Sequence, residues 1–186
     1  MLSRLFRRDR RGEAIASSLY GAIVAQARRP ALYAGLGVPD SVAGRFEMVL
    51  LHTILVTRRL ASAAEAGRGA GQGVFDLFCQ DMDHSLREMG VGDLTVPKKM
   101  RKVGEAYFGR AAAYEPGLAA GDAAVLAEPI GRTVFTEEAE PRAAGALALY
   151  AVAAAERLKA QNEEAITAAG PDFPDPELFV AAEAAR

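Results

Sequence analysis

Along most of the chain apolar residues recur at intervals of three and four, the spacing of one face of an α-helix. The pattern is clearest between Gln72 and Leu118. Phe75, Phe78, Met82, Leu86 and Met89 mark one helix, and Met100, Val103, Tyr107, Ala111 and Tyr114 mark a second. Gly90 and then Val91 follow the first series, an order that predicts a left-handed C-terminal cap with Val91 folded back on its helix. Thr95 stands where an N-cap would, and Pro97 falls in a first turn that has no N–H partner to lose. This stretch predicts a helical hairpin with an apolar seam.

The rest of the chain is organised about that hairpin. Glu13 to Arg29 reads as a helix ending at Pro30, with Ile15, Leu19, Ile23 and Ala27 at regular fours and Tyr20 and Val24 alongside. Pro30 to Pro39 is a turn-rich connector. Asp40 or Ser41 caps a longer helix running to about Ala64, whose apolar positions are Phe46, Val49, Leu50, Ile54 and Leu60. Gly67, Gly69, Gly71 and Gly73 are expected to break the chain before the hairpin. They lack the lysine–hydroxyl pair and the preceding strand of a phosphate loop. Beyond the hairpin, Gly117 and Gly121 frame a loop, and Asp122 to Phe135 forms a short helix bent near Pro129. A last long helix begins between Glu137 and Pro141 and continues past Lys159. Its segment Ala143 to Ala155 carries no charge but falls short of the roughly 20 residues that cross a bilayer, so it reads as a buried core helix. No period-two segment rich in β-branched residues occurs. The expected fold class is all-α, an irregular bundle of about six or seven helices around the central hairpin. Three units are expected: a basic amphipathic N-terminal segment (1–12), a helical domain (13–170) and a proline-containing C-terminal tail (171–186).

Charge changes this picture in two places. The net charge of −2 over 186 residues argues against general nucleic-acid binding. Yet residues 1–12 hold five arginines against one aspartate. Wound as a helix, they set Leu2, Leu5 and Phe6 on one face and Arg4, Arg7, Arg8 and Arg11 on the other. That arrangement suits contact with an anionic membrane surface, and a frayed, solvated terminus explains it equally well. No apolar core of a secretory signal follows, and the helical pattern starts too soon to leave room for a removable presequence. In the hairpin, Asp76, Asp81, Asp83 and Glu88 face a single Arg87, whereas Lys98, Lys99, Arg101 and Lys102 crowd the start of the next helix. Cations there oppose the helix dipole. The group either serves recognition or is a solvated face with pairs such as Asp83–Arg87 and Arg101–Glu105.

Little in the chain points to catalysis. Asp81 and His84 share a helix face, but Asp83 points elsewhere, and His52 and His84 are the only histidines. Metal-dependent phosphohydrolase and di-iron patterns therefore lack their ligands. His84–Glu88 reads as a surface pair and His52 as a satisfied core or boundary histidine. The single cysteine, Cys79, reads as a buried structural thiol in a reducing compartment. No catalytic residue, metal site or cofactor is expected.

The run from Phe75 to Tyr114 reads FDLFCQDMDHSLREMGVGDLTVPKKMRKVGEAYFGRAAAY. It resembles the signature of the ubiquinol–cytochrome c chaperone family, assembly factors of the cytochrome bc1 complex. The matching pieces are Phe75-Asp76, Asp81-Met82-Asp83, the run from Leu86 to Leu94, Val96-Pro97-Lys98 and Tyr107-Phe108-Gly109-Arg110. The resemblance is dense over Gln72 to Leu118 and rests on helical layout from about Asp40 to Lys159. It implies a non-enzymatic chaperone that holds newly made cytochrome b, with a small partner protein as in mitochondrial relatives. It also implies work at the cytoplasmic side of the inner membrane, or the matrix side in a eukaryote. The resemblance names no contact residues. On charge alone Asp76, Asp83, Arg87, Lys98, Lys99 and Lys102 are expected to bind the client. Met82, Met89 and Met100 belong either to the core or to an adaptable client surface. The rival readings are a membrane-surface helical adaptor with a different client, and an enzyme acting on a lipid or quinone.

Overall fold

The computed structural model describes residues 2–135 and 141–184, with side chains for 12–135 and 142–180. The described residues form eight α-helices and no strand: α1 (Leu2–Ala27), α2 (Val42–Ala61), α3 (Glu65–Glu88), α4 (Val96–Ala120), α5 (Ala123–Val134), α6 (Pro141–Ala160), α7 (Glu163–Ala169) and α8 (Glu177–Ala184). A π-helical turn, Ala31–Gly35, joins α1 to α2. The fold is all-α, an irregular bundle.

The bundle is built around α2. Ser41 caps it, its hydroxyl accepting from Gly44 N–H at 3.1 Å, and every residue from Glu47 to Val56 is buried. A helix that is buried all round must satisfy its polar side chains within the protein. Thr53 does so by donating to the Val49 carbonyl at 2.8 Å. Glu47 and His52 find partners on other helices. Against α2 lie α1, α3 and α6. The alanines of α6 let it approach closely, and Ala148, Ala151 and Ala154 are fully buried, as expected of a core helix.

The hairpin forms as its spacing predicts. Phe78 is fully buried and Met82, Val103 and Ala111 pack on the core. Gly90 adopts φ +80°. Its N–H donates to Arg87 O at 2.9 Å and that of Val91 to Leu86 O at 3.1 Å, the paired bonds of a Schellman cap. Met89, the last residue of the seam, takes the exposed one of its two readings, since the helix ends there. One local expectation fails. Thr95 does not cap α4 with its side chain. The chain is already winding from Gly92, whose carbonyl accepts from Thr95 and Val96 N–H, and Thr95 itself has helical dihedrals.

The glycine cluster is the larger correction. It does not break the chain but lies inside α3, which begins at Glu65. These glycines are contact points. A Cβ on Gly73 would stand 2.7 Å from the Ala16 Cβ, and one on Gly71 would stand 3.2 Å from the Leu60 Cβ. Their bare backbone lets α1 and α2 close on α3. Gly117 is likewise helical rather than part of a loop. A Cβ there would meet Leu126 at 2.7 Å, so α5 folds back tightly on α4 once Gly121, at φ +66°, ends that helix. Asp122 then caps α5 through Ala124 and Val125 N–H.

At the C-terminal end α6 stops at Ala160, and Asn162 caps the separate α7 by accepting from Ala165 N–H at 2.7 Å. The following segment docks on the bundle. Asp172 pairs with Arg157, Asp175 pairs with Arg29, and Phe173 sets its edge against His52. The short α7 and α8 bring the helix count to eight.

The directions of α1 and α3 position the site. Glu13 borders the same groove as Glu65, Ala16 meets Gly73, and Tyr20 donates to Asp81 at 2.6 Å. Both chains advance together, so the two helices run parallel. The groove between them at the α7 side is lined by Glu13, Asp76, Glu163 and Glu164 among others.

Candidate functional site

Three consecutive helices, α2, α3 and α4, leave an open cleft of about 500 Å³ between them. Gly71 of α3 borders it, with its bare backbone drawn up against Leu60 of α2. Ile54, Thr57 and Ala61 come from α2; Phe75 comes from α3; Tyr107, Phe108 and Ala111 come from α4. Phe75 lies 4.7 Å from Tyr107 and 5.9 Å from Phe108 between ring centroids, and Tyr107 meets Phe108 edge-on at 5.2 Å. The aromatic floor is held in place by a hydrogen bond of 2.6 Å between the hydroxyls of Tyr107 and Thr57. Burial pushes the Tyr107 phenol above its ordinary range, and the bond to Thr57 opposes that only in part. Phe108 stays 64% exposed, at the lip of a concave apolar surface.

Charged groups frame this surface. Arg58 donates to both carboxylate oxygens of Glu115, at 2.7 and 3.0 Å, tying α2 to α4 at one end. Arg68 donates to the Ala63 carbonyl at 2.8 Å and also borders the groove lined by Glu13, Asp76, Glu163 and Glu164. Deeper in, Arg110 donates to Glu47 at 2.8 and 3.2 Å. Burial raises the Glu47 carboxyl above the usual carboxylate range, outweighing the opposing pull of the Arg110 guanidinium. This pair locks α4 to α2 behind the cleft.

The residues expected to bind a client are spread over several places. Asp76 accepts from Gln72 at 2.8 Å and borders the groove on the α1 side of α3. Asp83 and Arg87 are brought together at 2.7 Å, and Arg87 also pairs with Asp93 at 2.5 Å. Arg87 is therefore engaged locally, and its hydrogen bond holds Asp83 below the usual carboxylate range. Lys98, Lys99 and Lys102 are exposed and have no carboxylate partner among the described residues. They follow Leu94, which is 98% exposed at the hairpin tip. Six residues separate Lys102 from Phe108, about 9 Å along α4. The side chains of Leu2, Arg4, Leu5, Phe6, Arg7, Arg8 and Arg11, expected to touch a membrane, lie outside the described side chains.

The other chemical candidates resolve as structure. His84 and Glu88 form the expected surface pair at 3.1 Å. His52 is fully buried between Met48 O and the Tyr150 hydroxyl. Cys79 is only half-buried, not buried as expected, and the burial it has raises its thiol further from ionisation. Among the described residues no group of three or more His, Cys, Asp or Glu side chains converges to hold a metal ion. The cleft was not singled out by periodicity. Its one signal was Phe108, an aromatic residue beside Tyr107 but off the seam that Tyr107 serves.

The described residues thus form an all-helical bundle with an open aromatic cleft. A model of the family described as ubiquinol-cytochrome C chaperone matches residues 34–173, and the chain belongs to that family. The fold is similar to the crystal structure of the Cbp3 homolog from Brucella abortus, with a TM-score of 0.85 and 36% sequence identity. That similarity covers 95% of this chain and 98% of the other. A comparison with curated proteins gives no match. The fold of this chain is shared with that homolog nearly end to end.

Proposed function

We propose that this chaperone binds newly made cytochrome b and promotes its assembly into the bc1 complex without catalysing a reaction. The observation that carries the reading is the family match across residues 34–173, supported by the 36% identical structural relative. The surface is suited to the task. A hydrophobic multi-span client offers apolar segments and charged loops, and α4 presents Phe108 and an exposed lysine group that precedes it by about 9–15 Å along the helix axis. Lys98, Lys99 and Lys102 would meet acidic loop residues of the client. No helix among the described residues is long and apolar enough to cross a membrane. Proximity to the client's bilayer would come from the arginine-rich residues 1–12, through attraction to anionic lipid. A small partner protein would complete the complex.

The test is a deletion strain. Its membranes should lose the b-type and c-type haem absorbance of the bc1 complex, and the tagged chaperone should recover cytochrome b. Normal haem spectra in the deletion strain, with no cytochrome b recovered, would remove this function.

A further inference from the structure

The C-terminal segment lies on the bundle much as a bound peptide lies on its receptor. Gly170 follows α7 at φ +92°, and the chain from Pro171 to Asp175 then runs without helix or strand. Its prolines fix φ and lack the N–H of a backbone ladder, so the stretch favours an extended form. Side chains of the bundle hold it. Gln26 donates to the Pro174 carbonyl at 3.1 Å, and Gln161 accepts from Asp172 N–H at 2.8 Å. Between these bonds Phe173 sets its ring edge-on to His52, with 5.1 Å between centroids. Two guanidiniums then take the acids on either side. Arg157 of α6 pairs with Asp172 at 2.6 Å, and Arg29, just past α1, pairs with Asp175 at 2.9 Å. A seat for one side chain, bonds to the peptide backbone and charge-assisted bonds at both ends are how a groove reads an extended peptide.

The hold is of a releasable kind. The side chains of both ion pairs are 43–50% exposed, where such pairs contribute little to stability. Phe173 is only partly buried. The polar groups beneath it do not depend on it, because His52 bonds to Met48 O and the Tyr150 hydroxyl, and Gln26 bonds to that same hydroxyl at 3.0 Å. Departure of the segment therefore leaves the imidazole satisfied. We propose that this groove, between the end of α1 and α6, is a binding site for an extended segment of a partner protein that carries an aromatic residue between two carboxylates. The chain's own residues 172–175 occupy it as an internal competitor. The segment turns out about Gly170 and takes α8 with it. The preceding α7 stays, since Ile166 is fully buried and Glu163 accepts from Ala64 N–H at 2.9 Å. The occupant is defined by the chemistry of the chain's own segment, so the proposal stands apart from which client the chaperone serves.

The segment can be clamped in place. A Cβ on Gly35 would stand 3.6 Å from the Val180 Cβ, inside the span of about 3.5–4.5 Å that a disulfide bridges. Gly35→Cys with Val180→Cys, in a full chain that also carries Cys79→Ala, locks α8 to the π-helical turn when oxidised. The probe is a fluorescein-labelled peptide copying residues 170–180, read by anisotropy. The wild type should bind it weakly, because its own segment competes. Phe173→Ala empties the seat over His52 without touching the groove and should bind the peptide about tenfold more tightly. Oxidation of the clamped chain should abolish binding, and reduction should restore it. A second peptide, with asparagine at the position of Asp172, should bind Phe173→Ala about fivefold more weakly. Adding Arg157→Gln to that variant should erase the difference between the two peptides. Melting curves verify folding, and the clamped chain decides the matter if Phe173→Ala does not fold. Equal anisotropy for the oxidised and reduced chains would overturn the proposal, as would absence of binding by a folded Phe173→Ala. A dimer that forms in the reduced chain and is lost on oxidation would overturn the partner assignment and give the groove to the segment of a second copy.

Discussion

The hydroxyl of Tyr150 lies 2.6 Å from Nε2 of His52, joining α6 to the middle of the most buried helix. The Met48 carbonyl, 2.7 Å from Nδ1, can only accept, so Nδ1 carries the proton and Nε2 accepts from Tyr150. Gln26 in turn donates to the Tyr150 oxygen at 3.0 Å and to the Pro174 carbonyl at 3.1 Å. One chain of hydrogen bonds thus connects α1, α2, α6 and the C-terminal segment. Every ring nitrogen has a partner, and the imidazole is neutral.

Stability should therefore depend on pH through His52. Burial lowers its pKa from 6.5 to about 4, so the unfolded chain binds this proton and the folded one does not. The contribution is fully present above about pH 6.5 and is lost as pH falls toward 4. It amounts to about 3 kcal/mol at most. Urea unfolding at pH 7 and pH 4.5 should show the loss in the wild type and a smaller one in His52→Gln. Equal losses would show that other groups carry the acid sensitivity.

The pair formed by Glu47 and Arg110 should behave as a registration device. Removing the guanidinium with Arg110→Met leaves a buried carboxylate and should cost about 3–5 kcal/mol. Replacing both partners, by Glu47→Leu with Arg110→Met, should restore most of that or exceed wild-type stability. Chemical denaturation of the two single variants and the double variant decides this. If the double variant is as damaged as the single, the pair contributes net stability and the argument fails.

The glycines of α3 give a sharper contrast. Gly69 has open space where a Cβ would go, so Gly69→Ala should raise stability by up to about 1 kcal/mol through helix propensity. Gly73→Val should cost about 1–3 kcal/mol, because its Cβ would meet Ala16. Thermal melting should move in opposite directions for the two variants. Movement in the same direction would mean that α1 does not sit against Gly73 as described.

These glycines also show what the chain makes legible. Periodicity locates the hairpin, the Gly90 cap and the core character of α6, and narrows the cap of α2 to Asp40 or Ser41, because each depends on neighbours within a turn or two. It misplaces Gly67 to Gly73, since a glycine run that permits close packing looks the same in sequence as one that breaks a helix. The difference lies in Ala16 and Leu60, which are distant along the chain. The resemblance supplied the family, and the same stretch contained Phe108. The cleft itself stayed hidden because it needs α2, α3 and α4 placed together. His52 was legible as a core residue, but its partner Tyr150, 98 positions away, was not.

Charge reversal at the start of α4 tests the role of its lysines. Lys98→Glu combined with Lys102→Glu places carboxylates where the helix dipole favours them. Folding should be unchanged or slightly improved in a melting experiment. Cytochrome b recovery and assembled bc1 complex, read from haem absorbance, should fall. A double variant that folds normally and supports full assembly would take these lysines out of client recognition.

The parallel course of α1 and α3 has an electrical consequence. Gly12 and Glu13 border the groove beside Glu65, where α3 begins, while the lysines gather beyond the end of α3. That helix is 24 residues long, about 36 Å, and the screening length at physiological ionic strength is about 8 Å. The carboxylates of Glu13, Glu163 and Glu164 border one end, and the lysines occupy the other. The two charged groups are several screening lengths apart, so each responds to its own surroundings. A charge changed at one end leaves the potential at the other unaltered, and a single molecule carries two electrostatic surfaces that act independently.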